Sequence, residues 1–561
     1  MSITAEHAAS LAAKSSRPAV TAVQAYGNKL GLWNMWVAFA ALALGLPMGL
    51  FQAAERSGFF PGIESTAVYF ASTSTHGVLL AFVLTTFFAM GWGYHTMAHS
   101  VNKKPFFGWT GFWVSFVGTV MAAIPLLTGY ASVLYTFYPP EMAHPSFYLG
   151  ATLLVVGSWF WVADMIIAMT QWKKENPGKP VPAVMFMFTI TALLWGWTSL
   201  GVATESVFQL LPVVFGLAPT IDVGLARTLF SWTLHAIVYF WLMPAYIAMY
   251  VILPKEAGGK LFSDEFARIA FVLLFIFSVP IGFHHLYVDP QQAAGWKLLH
   301  MFGTFMVAVP TFLTGFTVLA TMEIAGRLRG GKGLFGWIGA LDWNNPIVLA
   351  GGLSLLMLTV GGWGGVLNAS YTWDVMVHNT QWITGHFHLI FGGTTVIMYL
   401  AAAYWLWPKI TGNALYSRAL AVWQMWLYFI GMVVLTAPWH VLGVFGQPRR
   451  VSTTDQYAAF PEYAQMWGTY EALMVVGAVI VVIAGLMFVF NLLMTHFNKT
   501  PALDTKVEYA VAIHEPMRLP NVLNSLAFWN WAMLAYMLLS YGYPILQFFF
   551  MEGDKTIPWG V

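Results

Sequence analysis

The sequence predicts an all-α integral membrane protein of about 13 transmembrane helices, with the N-terminus inside and the C-terminus outside. Three observations lead there. The 561-residue chain is 58% hydrophobic and only 9% charged, where a soluble protein carries ~25% charged residues. Its mean hydropathy is +0.67, and apolar runs able to cross ~30 Å of hydrocarbon recur from end to end. The basic residues also divide sharply between two sides. This composition excludes a large soluble enzyme. It makes the lipid bilayer, and not nucleic acid, the surrounding partner.

The runs fall at about 31–52, 72–99, 108–129, 147–171, 181–212, 226–253, 266–288, 295–325, 346–365, 379–407, 416–446, 467–496 and 524–551. Residues 1–29 are polar and small and are expected to be a cytoplasmic tail, with no apolar core of a signal peptide. Residues 30–561 are expected to be a single polytopic domain, because no fixed-period repeat and no long linker divides them. Loops such as KKENPGKP (173–180) and GRLRGGKG (326–333) have the composition of inner turns. With the N-terminus inside, the outer side holds only Arg56, Arg227, Lys297, Arg449, Arg450 and Lys555. The inner side then holds 19 of the 25 Lys and Arg residues, a strong positive-inside split. There is no cysteine, so this chain can form no disulfide, thiolate metal site or thioether heme attachment.

The 15 histidines carry the chemistry. His7, His144, His496 and His514 are expected in tails, loops or span ends. His95 and His99 fall near an inner helix end, and His300 and His440 near outer ends, where interfacial or packed imidazoles are ordinary. Six others lie within spans: His76, His235, His284, His285, His386 and His388. Imidazoles inside a membrane are costly and are rarely there without a function. Spans two, six and ten run inward, and His76, His235 and His386 follow soon after entry. Span seven runs outward and reaches GFHHLY near its end. All six therefore share one outer layer, which scattered packing histidines would not do. Imidazole is the common ligand of iron and copper.

Their spacing divides the work. In TGHFHL (384–389), His386 and His388 point ~200° apart on a helix and face two different sites. His284 and His285 are ~100° apart and can both reach one metal from a distorted helix end, with His235 as a third ligand. Three imidazoles with an open position suit copper or non-heme iron. In HAIVY, His235 and Tyr239 stack at i and i+4. A tyrosine beside a redox metal can donate an electron and a proton, although alone this motif reads as an aromatic packing contact.

These passages, with STHGVLLAFV, LYTFYPP, HAIVYFWLMPAY, GFHHLYVDP, IAGRLRGG, VHNTQWITGHFHL and GQPRR, resemble subunit I of the heme–copper oxygen reductases, most closely the B-type (cytochrome ba-like) cytochrome c oxidases. The resemblance covers nearly the whole chain. It implies two hemes and one copper ion, and leaves each heme's type, A or B, open. By that resemblance His76 and His388 are axial ligands of a low-spin heme, and His386 is the single axial ligand of a high-spin heme. His235, His284 and His285 hold the copper facing that heme. Tyr239, joined covalently to His235, sits at the oxygen site. Arg449 and Arg450, with Asp374 and His378, resemble the partners of the heme propionates. Leu234 and Ala236 stand where the family usually has Gly and Pro, which puts the path of span six beside the copper at issue. Ile237 replaces a glutamate of the A-type enzymes, so their second proton channel is expected to be absent.

A proton route is legible separately. Tyr239, Tyr246 and Tyr250 return to one face of span six, at i, i+7 and i+11. Thr311, Thr314 and Thr317 follow at three-residue spacing on span eight. The set resembles the family's single inner proton pathway, with water expected to bridge the tyrosines. The resemblance implies a proton-pumping terminal respiratory oxidase of a bacterial or archaeal cytoplasmic membrane. It implies a subunit II carrying a dicopper electron-entry site, small accessory membrane subunits, and an external cytochrome c or blue-copper donor. The nearest rival is a nitric oxide reductase with non-heme iron in place of copper. A rival of another class is a transporter that uses the histidines as a proton relay.

Overall fold

The computed structural model describes residues 20–59, 66–139, 141–452, 461–515, 522 and 525–550. Among them, 13 helices are long and apolar enough to cross a membrane. They are α1 (Ala22–Arg56), α2 (Thr66–Ser100), α3 (Gly108–Leu127), α4 (Pro145–Glu175), α5 (Ala183–Val214), α6 (Val223–Glu256) and α7 (Asp264–Leu286). The chain continues through α8 (Ala294–Leu328), α9 (Pro346–Ala369), α10 (Gln381–Thr411), α11 (Arg418–Val444), α12 (Gln465–Phe497) and α13 (Leu526–Phe550). The number matches the sequence expectation. Helix α1 starts earlier than expected and takes in residues 22–29. Thr21 and Gln24 form a reciprocal capping box there, which satisfies two first-turn N–H groups and favours starting the helix at that point. His7 lies outside the described residues, as do Lys14, Arg17, Arg518 and Lys555.

Small residues let the helices approach closely where lipid offers no hydrophobic drive. Gly111 and Gly118 on α3 meet Gly157 and Gly150 on α4. A Cβ on Gly118 would lie 2.6 Å from the Gly150 carbonyl, and one on Gly150 would lie 2.5 Å from that of Gly118. The seven-residue spacing on both helices keeps each pair on one face.

Two irregularities shape the centre of the bundle. The regular part of α7 ends at Ser278, and after Pro280 and Gly282 a 3-10 turn, Phe283–Leu286, carries the histidine pair. That is the distorted end the sequence suggested. Wide π turns follow His76 (Val78–Leu84) and begin at His388 (His388–Val396), and such turns concentrate at functional positions. By contrast α6 is continuous from Val223 to Val251 through Leu234-His235-Ala236. Without a proline beside His235, nothing interrupts its backbone ladder at the ligand position. The three spans most buried within the bundle are α2, α6 and α10. These are the spans that carry His76, His235, His386 and His388.

Candidate metal and cofactor centre

Two cavities flank α10. The larger, of about 450 Å³, is lined by His235, Tyr239, His284, His285 and His386. The smaller, of about 190 Å³, is lined by His76 and His388. The expectation that His386 and His388 serve different sites is therefore met in position. Phe387, Phe391 and Trp241 line both cavities, and Trp241 and Phe391 pack with ring centroids 4.4 Å apart. These aromatic rings form a wall shared by the two spaces.

In the smaller cavity the two imidazoles are held in place and left open on their inner edges. His76 Nδ1 pairs with the Gly45 carbonyl at 2.9 Å, and His388 Nδ1 with the Thr384 carbonyl at 2.9 Å. Each carbonyl can only accept, so each Nδ1 carries the proton and leaves the Nε2 lone pair free. The ring centroids are 6.0 Å apart and the planes are within 23°. Two imidazoles on opposite sides of one metal need centroids about 6 Å apart, since each metal–nitrogen bond is about 2 Å and each ring centre lies roughly 1 Å further. The pair fits a bis-imidazole iron. Gly49 makes room beside it, because a Cβ there would lie 2.7 Å from His76 Cε1.

In the larger cavity His235, His284 and His285 each offer a nitrogen, all within 4.8 Å of one another. Such a triad suits one metal ion with an open position. His235 Nε2 and His285 Nε2 are buried without a hydrogen-bond partner among the described residues, an expensive state that a metal would relieve. Thr304 fixes His284. Its hydroxyl donates to the His300 carbonyl at 2.6 Å, so toward His284 Nδ1, at 3.2 Å, it must accept. His284 therefore carries its proton on Nδ1 and turns Nε2 toward the cavity, an arrangement typical of ligating histidines. Tyr239 lies one turn from His235 with ring centroids 4.9 Å apart. Gly364 and Gly365 give His386 its space, since a Cβ on either would fall 2.9 Å or 3.2 Å from its ring.

The outer rim is cationic. Arg449 and Arg450 line both cavities. The loop is anchored by an Arg449 N–H bond to the Asn379 carbonyl at 2.9 Å and by the Arg449 guanidinium on Asn379 Oδ1 at 3.1 Å. Arg450 has φ +61°, a left-handed conformation uncommon for any residue other than glycine and one that structures retain where it is useful. Burial, and then the neighbouring Arg450 charge, pull the Arg449 guanidinium down to about 9. Both effects call for an anion at this rim. Asp374 and His378 line only the larger cavity and bond to each other at 2.9 Å. Burial raises the Asp374 carboxyl above the usual range, against the opposing bond from His378.

The tyrosine–threonine stripe expected from the sequence is assembled in part. Tyr250 donates directly to Thr314 at 2.9 Å, so the two elements meet without water there. Thr311 borders the larger cavity. The Tyr246 hydroxyl is buried and unpartnered among the described residues. Thr317 bonds back to the Leu313 carbonyl at 2.7 Å, as a helix-packing threonine does.

Several residues differ from their expected settings. His95 is fully buried rather than interfacial, because the C-terminal end of α2 packs inside the bundle. His300, expected to be interfacial or packed, is packed and fully buried. His496 packs edge-on against Trp36, with ring centroids 5.2 Å apart. Arg56 is not a loop charge: it is buried and donates to the carbonyls of Pro448 and Val451 at 2.5 Å and 3.2 Å, which ties α1 to the arginine loop. Thr304, His300 and Trp241 are site residues that the sequence did not single out. Most of their partners lie on other elements, and no local pattern marks them.

Comparison with known proteins gives the family and the fold. Residues 29–480 match the family described as cytochrome c and quinol oxidase polypeptide I. The chain is 40% identical over 539 residues to cytochrome c oxidase subunit 1 of Thermus thermophilus, covering 93% of this chain and 95% of that one. It is 24% identical over 446 residues to cytochrome c oxidase subunit 1 of Thermostichus vulcanus, covering 76% and 77%. A cryo-EM structure of a heme–copper terminal oxidase dimer superposes with a TM-score of 0.87 at 34% identity, covering 95% of this chain and 94% of that one.

Proposed function

This chain belongs to the cytochrome c and quinol oxidase polypeptide I family and is an oxidoreductase of the B-type heme–copper kind; from that premise we propose that it reduces O2 to water as the catalytic subunit of a proton-pumping terminal oxidase. One observation carries the reading. Three imidazole nitrogens converge within 4.8 Å in the cavity that His386 borders, while His388 on the same helix borders a second cavity against His76.

On this reading His76 and His388 hold a low-spin heme, His386 a high-spin heme, and His235, His284 and His285 a copper ion. When bound, these groups supply the one-electron transfers and the oxygen chemistry. The protein supplies the rest. Helix α10 places two ligands two residues apart, which gives electrons a short covalent path between the two spaces. Tyr239 stands beside His235 with a hydroxyl to give up a proton and an electron where the O–O bond breaks. Arg449 and Arg450 pair with heme carboxylates as charge-assisted donors, and Asp374 and His378 complete that rim on the high-spin side. The Tyr250–Thr314 hydrogen bond, with Tyr246, Thr311 and Thr317 along the same stripe, carries protons from the inside to Tyr239. The positive-inside split sets that direction across a bacterial or archaeal cytoplasmic membrane.

Because the chain has no cysteine, a thiolate-bridged dicopper entry site belongs to a separate subunit II, supplied by an external cytochrome c or blue-copper protein. Small accessory membrane subunits complete the assembly. Tyr239, together with the apolar Ile237, favours oxygen over nitric oxide as substrate, since no carboxylate stands at that position to support a non-heme iron. The test is elemental analysis of the purified subunit, with two iron and one copper per chain expected. Three iron and no copper would indicate nitric oxide reduction, and no stoichiometric metal would indicate a transporter.

A further inference from the structure

We propose that His300 is the positioning residue of the His284–His285 pair, locking in place the turn that presents both imidazoles to the metal. The inference rests on the reading of His235, His284 and His285 as the copper-holding set. It adds a residue outside that set.

The turn needs an outside support. Phe283–Leu286 is a four-residue 3-10 turn set off from the rest of α7. Its leading N–H groups have no helical carbonyl before them. Inside a membrane no bulk water replaces those partners. His300 Nδ1 accepts from both, from Gly282 N–H at 2.9 Å and from Phe283 N–H at 3.2 Å. That lone pair is then committed, so the ring proton sits on Nε2. Nε2 faces the Ser540 carbonyl at 3.1 Å and donates to it. One rigid ring thus ties the turn to α8 on one edge and to α13 on the other.

Packing holds the ring in that role. It lies flat on Phe283, with centroids 3.8 Å apart and planes within 3°, and Tyr541 meets it edge-on at 5.1 Å. The turn is also pressed onto α6, because a Cβ on Gly282 would lie 2.2 Å from the Ser231 carbonyl, one helical turn before His235. Next along α8, Thr304 bonds to His284 Nδ1 and donates to the His300 carbonyl. The bonds fix the pair with respect to His235, and imidazole suits the task for a specific reason. It presents an sp² acceptor and a donor on separate edges of a ring that cannot bend. Phenylalanine keeps the stack and loses both edges. Glutamine keeps an acceptor and a donor on one flexible end.

The experiment compares the purified holoenzyme with the variants His300→Phe and His300→Gln. Each is reduced and exposed to a copper(I) chelator, and copper is followed alongside the low-spin and high-spin heme spectra and the thermal midpoint. Loss of an orienting partner of a metal ligand costs about 10–100-fold in affinity. His300→Phe should therefore release copper at least about tenfold faster than the parent, with the low-spin spectrum intact, and His300→Gln should fall between them. Copper retention at the parental rate in His300→Phe overturns the proposal. If His300→Phe does not assemble with heme, His300→Gln decides alone: faster release with intact spectra supports the proposal, and the parental rate overturns it. Absence of copper from the parent would instead overturn the reading of the triad, which separates the two failures.

Discussion

The two faces of α10 present the same side chain to different surroundings. On the His388 face the ring is tied to its own helix through the Thr384 carbonyl and is opposed by His76, itself tied to Gly45. Both sides of one metal would be taken there. On the His386 face the nearest ligands belong to a separate triad. Two of its members sit on a short turn rather than on a regular helix. The first arrangement closes coordination and suits a group that only passes electrons. The second leaves a space between two centres and suits a group that must admit a substrate. The difference comes from the opposing element: one histidine on α2 against three on α6 and α7.

The largest effects should come from removing ligands one face at a time. His76→Ala should abolish the low-spin heme spectrum and leave the high-spin one. His386→Ala should do the reverse, so optical spectra that moved in the opposite sense would break the assignment. Next in size is Tyr239→Phe, which keeps the ring and removes the hydroxyl. Oxygen consumption should fall by about 100-fold or more, the scale of losing a placed proton donor, with metal and heme content unchanged. Near-parental turnover would return Tyr239 to a packing role.

Smaller effects should follow from the proton stripe. Thr314→Val and Tyr250→Phe each break the direct Tyr250–Thr314 bond between α6 and α8. Each should slow turnover by less than the ~100-fold expected for losing a placed proton donor, because neighbouring hydroxyls and water can still relay. Heme spectra should not change, and proton uptake into oriented vesicles should slow in parallel. Parental rates in both variants would make the stripe structural. The smallest effects should come from glycines that make room for the rings. Gly49→Ala crowds His76 and Gly364→Ala crowds His386, each costing about 1–3 kcal/mol by overpacking. Thermal unfolding should register both, but each should perturb the spectrum of its own heme only. A shared perturbation would show that the aromatic wall couples the two cavities more tightly than their separate linings imply.

The sequence by itself determined the class of the molecule and the depth of its chemistry. Thirteen apolar runs must become helices in lipid, because no other open backbone satisfies its own hydrogen bonds there. Histidines in such runs are few, and charge asymmetry orders them by depth, so His76, His235, His284, His285, His386 and His388 stood out. Helical periodicity alone put His386 and His388 on opposite faces. Tertiary structure decided what each ring meets. The opposition of His76 and His388, the convergence of the triad and the Tyr250–Thr314 bond each join separate helices. The support given by His300 and Arg56 runs to backbone carbonyls and N–H groups, which nearly every residue carries and which leave no mark in a sequence. His300 reaches Ser540 across 240 residues. A side chain's periodicity tells which way it points from its own helix, but the group it finds there is set by how the helices pack.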